Sequence, residues 1–245
     1  MKINYGIMVS SLRQLSELPE LKKAGFLEIS SSCFRTPGFV VPAGWKKRLL
    51  RVSTRSEART FGALIGAGRG VMMEFYRLFA RNCEEYARMG VREIAMTVDW
   101  ETLTGDDLYA DKLRDVLRCC YGIMSEYKLC ALLELRIPGF ISSRPVEFRK
   151  FRNSLLLPIR TLIDFHPHEP GALELLSDYA AEMPFDTSRF RVSFDASGGN
   201  YLSDNLLEKI QEKLHAVGKE IPEISFYPGR SADKTAFAEL EAVLK

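Results

Sequence analysis

The chain has 245 residues, 46% apolar and 27% charged, with a formal net charge of +2. That length suits one large domain; the composition is globular, and the charge is too small for a disordered chain or a duplex nucleic-acid binder. No apolar run reaches the roughly 18 residues of a transmembrane helix, and the opening MKINYGIMVSS makes a poor secretory signal.

Short apolar runs alternate with longer amphipathic segments, at a repeat of roughly 25 to 40 residues. KINYGIM (2–8) is the first predicted strand, followed by a helical pattern, LRQLSELPELKKAG, that stops at Gly25. FLEIS (26–30) is the second strand, and helix two falls within residues 44–60. FGALIGAG (61–68) reads as strand three, and VMMEFYRLFARNCEEYARMG as helix three, stopped by Gly90. VREIAMTVDW (91–100) is strand four, before the helix DDLYADKLRDVLRCCYGIMSEYK. LCALLELR (129–136) is strand five, with a shorter helix in VEFRKFRNSL. PIRTLIDFH (158–166), FRVSFDAS (190–197) and IPEISFYPG (221–229) complete the strands. The helices GALELLSDYAAEM, DNLLEKIQEKLHAVG and DKTAFAELEAVLK follow them in turn.

Eight strands alternating with eight helices imply parallel pairing through right-handed crossovers. Eight such units in this length predict a closed (β/α)8 TIM barrel, one domain over residues 1–245, with an open doubly wound sheet as the alternative. The five cysteines, Cys33, Cys83, Cys119, Cys120 and Cys130, are odd in number and lack CxxC spacing. Neither a disulfide framework nor a zinc site is indicated, and reduced, buried thiols in a cytoplasmic protein are expected.

In a barrel the chemistry sits at the C-terminal ends of the strands. Strand four ends in Asp99, with Glu101 beyond it. Strand five ends in Glu134 and Arg136, strand six in Asp164, His166 and His168 before Glu169, and strand seven in Asp195 and Ser197. Residues two apart in a strand share a face. Glu134 lies inside the apolar run LLEL, where a lone carboxylate is costly unless an arginine pairs with it or a metal binds it. Three carboxylates and two histidines on consecutive strand ends suit a divalent metal site of zinc, manganese or magnesium. His215, in a helical pattern, is read as an exposed bystander.

At these residues the chain resembles the xylose isomerase-like superfamily of barrels, which groups sugar and sugar-phosphate isomerases and epimerases with endonuclease IV-like enzymes. LKKAGFLEIS (21–30) is similar to that family's opening helix, glycine and glutamate-bearing second strand, and EEYARMGVREIAMTVDW (84–100) to its third helix and fourth strand. Glu134 and Asp164 fall where the family places a strand-five glutamate and a strand-six aspartate as metal ligands. The resemblance implies a cation held by Glu134, Asp164, a histidine (His166) and Asp195, polarising the carbonyl or hydroxyl of an open-chain sugar. Glu134, His166 or His168 would move the proton beside the carbonyl. The chain departs from the family in two places. Strand seven offers Asp195 where the family has a His or Gln. Strand eight offers Ser225 or Tyr227 at its end where the family has a second Glu, and its own Glu223 is at the start. Either His166 or His168 replaces the missing acid–base partner, or the barrel binds a small polar or phosphorylated ligand without metal-dependent isomerisation.

Two glycine-bearing loops are candidates for a substrate phosphate: Ser197, Gly198 and Gly199 after strand seven, and Gly229 with Arg230 after strand eight. Both also read as ordinary turns. ASGG further resembles the strand-seven loop of the phosphate-binding barrels that include histidine- and tryptophan-biosynthesis isomerases, but strand one lacks the terminal Asp those enzymes use. No strand ends in Lys, which argues against Schiff-base chemistry, and no nucleophile elbow or P-loop occurs.

The near-neutral total hides an asymmetry. Residues 1–60 carry 11 Lys/Arg against 4 Asp/Glu, and residues 161–245 carry 8 against 15. The basic surplus centres on Lys46, Lys47, Arg48, Arg51, Arg55 and Arg59; the four arginines are expected on one helical face. That face would meet an anionic substrate, the acidic half of a second copy in a homo-oligomer, or solvent. Nucleic acid is not an expected partner, since three histidines cannot supply a three-metal repair site.

Overall fold

The computed structural model describes residues 3–19, 21–54, 64, 66–98, 107–137, 145–182, 189–196, 202–216 and 223–244. Eight parallel strands close a barrel in chain order: β1 (Asn4–Val9), β2 (Ala24–Ser30), β3 (Leu49–Ser53), β4 (Glu93–Thr97), β5 (Cys130–Ile137), β6 (Arg160–Phe165), β7 (Arg189–Ser193) and β8 (Glu223–Tyr227). Parallel pairing of β1 with β8, Asn4 opposite Glu223 through Ile7 opposite Phe226, shuts the sheet. The described helices are α1 (Leu12–Glu17), α2 (Ser31–Phe34), α3 (Ala43–Lys46), α4 (Arg69–Arg88), α5 (Asp107–Glu126), α6 (Pro145–Ser154), α7 (Ala172–Glu182), α8 (Asp204–Ala216) and α9 (Lys234–Val243). The architecture is the (β/α)8 barrel that the sequence predicts. Among the described residues no helix is long and apolar enough to cross a membrane.

The strand alternation sorts side chains onto two faces. Ile7, Val9, Leu27, Ile29, Val52, Ile94, Met96, Leu133, Leu135, Ile163, Phe165, Phe190, Val192, Ile224 and Phe226 point outward into one continuous apolar layer shared with the helices. The inward set is largely polar, apart from Met8, Phe26 and a small cluster of Ala95, Leu132 and Leu162.

The third strand departs from the sequence reading. It is LLRVS (Leu49–Ser53), inside the segment expected to form helix two. Of FGALIGAG, the described residues 66–68 lead into α4, with Gly68 as its N-cap. The arginines at 48, 51, 55 and 59 imitate helical spacing, yet Arg51 is fully buried in β3. A buried guanidinium hides the strand's apolar pattern, and only its ion pairs make the burial affordable. Arg48 and Arg51 therefore do not share a helical face. The Arg48 guanidinium donates to the carbonyls of Leu21 and Ala24 and lies 5.3 Å over the Trp45 ring. Lys46 and Lys47 are exposed, and Arg55 and Arg59 lie outside the described residues.

The first helix is also shorter than expected. It ends at Glu17 because Leu18, which precedes Pro19, is extended at φ −64° and ψ 113°. Gly25 belongs to β2 rather than to a helix end. Gly90 does stop α4, at φ +90°, with the Val91 N–H donating to the Tyr86 carbonyl at 3.0 Å. Of the thiols, Cys33, Cys83 and Cys120 are buried, whereas Cys119 and Cys130 are exposed, against the expectation.

Candidate active site

The lumen holds a ladder of alternating charges that climbs from the N-terminal ends of the strands to the mouth. At the floor, Glu93 opens β4, Arg189 opens β7 and Glu223 opens β8. Arg189 donates through Nε and Nη2 to Glu93 Oε1 at 2.8 and 2.6 Å, and its Nε lies 2.9 Å from Glu223 Oε2. From β3, Arg51 donates to Glu93 Oε2 through Nε and Nη2 at 3.0 and 2.6 Å, and through Nη1 to Glu28 Oε2 at 3.3 Å. Glu28, on β2, also accepts from the Ser225 hydroxyl at 3.0 Å and from Arg191 Nη2. Arg191 Nη1 then lies 2.8 Å from Glu134 Oε2 and 3.8 Å from Asp164 Oδ1.

These side chains form one electrostatic unit. Burial alone would push the Glu28 carboxyl up, but the charges of Arg191 and Arg51, with hydrogen bonds from Arg191 and Ser225, hold it below the usual carboxylate range. Glu93 behaves alike: burial raises it, and Arg51 and Arg189 together outweigh that and lower it. Burial would favour loss of the Arg191 proton, but Glu134, Glu28 and Asp164 overcome this and raise its pKa well above the ordinary arginine value. The guanidinium stays charged.

Above the ladder, the mouth carries a second chain of groups. Ser193 donates its hydroxyl to Asp164 Oδ1. His166 Nε2 sits 3.1 Å from Asp164 Oδ2, and Nδ1 lies 3.6 Å from Glu169 Oε1. With Asp164 ionised, the carboxylate accepts and the proton of this hydrogen bond is on Nε2. Glu169 also pairs with Arg136, at the end of β5. A cavity of about 270 Å³ opens here, lined by His166, His168, Glu169, Ser193, Phe194, Asp195 and Tyr227.

A second cavity of about 510 Å³, across Tyr227, is lined by Met8, Ser10, Ser11, Ser30, Ser32 and Arg230. Its frame is Gln14, fully buried on α1. The Gln14 side chain accepts from the Ser10 N–H at 2.8 Å and donates to the Gly229 carbonyl at 2.5 Å, tying the loop after β1 to the loop after β8. Gly229 has φ +86°, a left-handed backbone that suits glycine. Ser10 Oγ and Tyr227 Oη are 3.0 Å apart on the same wall.

The structure places His166, His168 and Asp195 on the smaller cavity, with Asp164 buried behind His166 and Ser193. Glu134 lies deeper, against Arg191 and the Ser53 hydroxyl at 3.4 Å. Arg136 is exposed and joins only through Glu169, while Arg230 is exposed and lines the larger cavity. Asp99, Glu101, Ser197, Gly198 and Gly199 lie outside the described residues, and His215 is exposed on α8. The expected metal set of Glu134, Asp164, His166 and Asp195 is not assembled as one. Arg191 stands against Glu134 and within 3.8 Å of Asp164, and a guanidinium offers no lone pair to a metal. Among the described residues no three His, Cys, Asp or Glu side chains are placed to hold an ion.

Sequence reading missed Arg191, Ser193 and Gln14, and noticed Glu28 and Arg51 without placing them in the lumen. The signal for Arg191 was present: RFRVSF alternates charged or polar residues with apolar ones, the pattern of a strand with one polar face.

No protein-family model matches the chain, and no curated protein does. Solved structures do. An L-ribulose 3-epimerase superposes with a TM-score of 0.68 at 13% identity over 99% of this chain and 95% of that one. A xylose isomerase domain protein from Alicyclobacillus acidocaldarius subsp. acidocaldarius gives 0.62 at 13% over 98% of each. IolI, solved with a zinc atom, gives 0.56 at 13% over 99% of this chain and 98% of that one. Each likeness, at 13% identity, is one of fold: these structures share the barrel's architecture across nearly the whole chain.

Proposed function

We propose that this barrel is a sugar isomerase or epimerase that moves a proton beside the carbonyl of a ketose or keto-sugar. The observation that carries the reading is the Asp164–His166–Glu169 chain at the barrel mouth, opening onto a cavity. An imidazole whose Nε2–H is held by a carboxylate has a fixed orientation, and histidine is the side chain suited to taking and returning a proton near neutral pH. Asp195, on the same cavity, is the second acid–base group. His168, exposed beside them, is a spare. The larger cavity, with its four serines and Arg230, supplies hydroxyl and guanidinium partners for the rest of a polyhydroxylated substrate or for its phosphate. Support also comes from the L-ribulose 3-epimerase likeness, since L-ribulose is a ketose. We place the protein in the cytoplasm on its cysteine usage.

The divalent ion implied by the resemblance does not fit these residues, because Arg191 engages Glu134 and approaches Asp164.

One observation favours a second reading. Glu134, which the resemblance makes a metal ligand and a candidate proton-transfer group, is held by Arg191 in the lumen; a barrel that binds its sugar without turning it over would tolerate that. Solvent-deuterium incorporation separates the two. A panel of ketopentoses, ketohexoses and their phosphates is incubated with the protein in deuterated buffer and read by proton NMR. The enzyme reading expects loss of the signal at the carbon beside the carbonyl for at least one sugar, with a rate about 10²- to 10⁴-fold lower in His166→Gln. Saturation-transfer binding with no exchange would instead establish the binding reading.

A further inference from the structure

We propose that Arg191 is the barrel's own resident cation, standing where a divalent ion would have to sit between Glu134 and Asp164 and so closing the lumen to metal. Three carboxylates from three different strands converge on this one side chain: Glu28 of β2, Glu134 of β5 and Asp164 of β6. All three are essentially without solvent contact, as is Arg191. Buried carboxylates in such proximity need a positive charge among them, and the chain supplies it from β7. The resemblance puts a neutral His or Gln donor on that strand.

The geometry is that of a charge more than of a fitted hydrogen-bonding fork. Arg191 Nη1 lies 2.8 Å from Glu134 Oε2 but is not directed along a hydrogen bond, and its Nε has no hydrogen-bond partner among the described residues. Glu134 and Asp164 would be the first ligands of any ion here, and a second cation beside a fixed guanidinium is repelled by it. Arginine keeps its proton throughout the accessible pH range, and its carboxylate neighbours only strengthen that hold. A chelator can strip an ion, but it cannot strip this charge.

The deciding measurement is metal occupancy, so it stands apart from the epimerase reading. The full-length chain is treated with chelator, desalted and titrated with Mn²⁺, with free ion followed by electron paramagnetic resonance; Zn²⁺ content is measured in parallel by mass spectrometry. The wild-type chain is expected to take up no stoichiometric ion. Arg191→Ala, checked for folding by circular dichroism, is expected to take up about one ion per chain, and the Arg191→Ala, Glu134→Gln double variant to lose it again. Arg191→Met, which keeps length without charge, is the second variant. One ion bound by the wild-type chain and lost in Glu134→Gln would overturn the proposal, as would folded Arg191→Ala and Arg191→Met chains that bind none. If the epimerase reading holds, its deuterium exchange is also expected to be unchanged by EDTA.

Discussion

The two faces of the barrel wall are built on opposite rules. Outward, residues such as Leu133, Ile163, Phe165 and Val192 pack among helix side chains in one apolar layer, where each contact is short-ranged and a lost methylene is felt locally. Inward, Glu93, Arg51, Glu28, Arg191, Glu134 and Asp164 form a ladder in which every charge depends on the next. The outer layer gives stability through area. The inner ladder gives little net stability of its own, because desolvation cancels much of the attraction. It makes each member costly to remove, and it fixes where positive and negative charge lie beneath the mouth.

The comparison can be broken most sharply at Arg191. Replacement by Ala leaves Glu28, Glu134 and Asp164 facing one another, and urea unfolding should show a loss of about 3–5 kcal/mol, the range for removing one partner of a buried ion pair. A loss no larger than that of a surface substitution would show that the ladder is not coupled. Acid should probe the same unit. Glu28 and Glu93 are held below the ordinary carboxylate value of 4.5. Their contribution to stability is therefore fully present above 4.5 and is lost as pH falls through their lowered folded values. Unfolding free energy measured across that range should drop below pH 4.5, and Glu28→Gln should flatten the drop.

On the outer face, Ile163→Val should cost only about 0.5–1.5 kcal/mol, with no change in acid sensitivity. A strong pH dependence of that cost would blur the division between the faces. The smallest effect concerns thiols. Burial pushes the Cys33 thiol up to about 11, a hydrogen bond with Ser32 only partly opposing it, whereas Cys119 and Cys130 are exposed. Alkylation near neutral pH, mapped by peptide mass spectrometry, should label Cys119 and Cys130 and spare Cys33.

The barrel was readable from sequence because seven of its strands announce themselves as short apolar runs between amphipathic helices. The exception, Leu49–Ser53, is instructive. Its central Arg51 is neutralised by Glu28 and Glu93, residues far away in the chain, and no local pattern records that pairing. The same holds at the site. Glu134 was recognisable as a carboxylate that needs an arginine or a metal, since it interrupts LLEL. That the partner would be Arg191, from a strand that does not pair with β5, follows only from closing the barrel. Asp164 and His166 were visible as a strand-end pair two residues apart. Gln14 was not, because its task of joining the first and last loops exists only once β8 lies beside β1.

In the lumen we propose that an arginine, and not a metal ion, provides the positive charge between Glu134 and Asp164. Crystals of the wild-type chain soaked in MnCl2 test it most directly, through an anomalous difference map. No peak is expected between the two carboxylates, with the Arg191 guanidinium ordered against Glu134. A strong peak coordinated by Glu134 and Asp164, with Arg191 swung away, would contradict it.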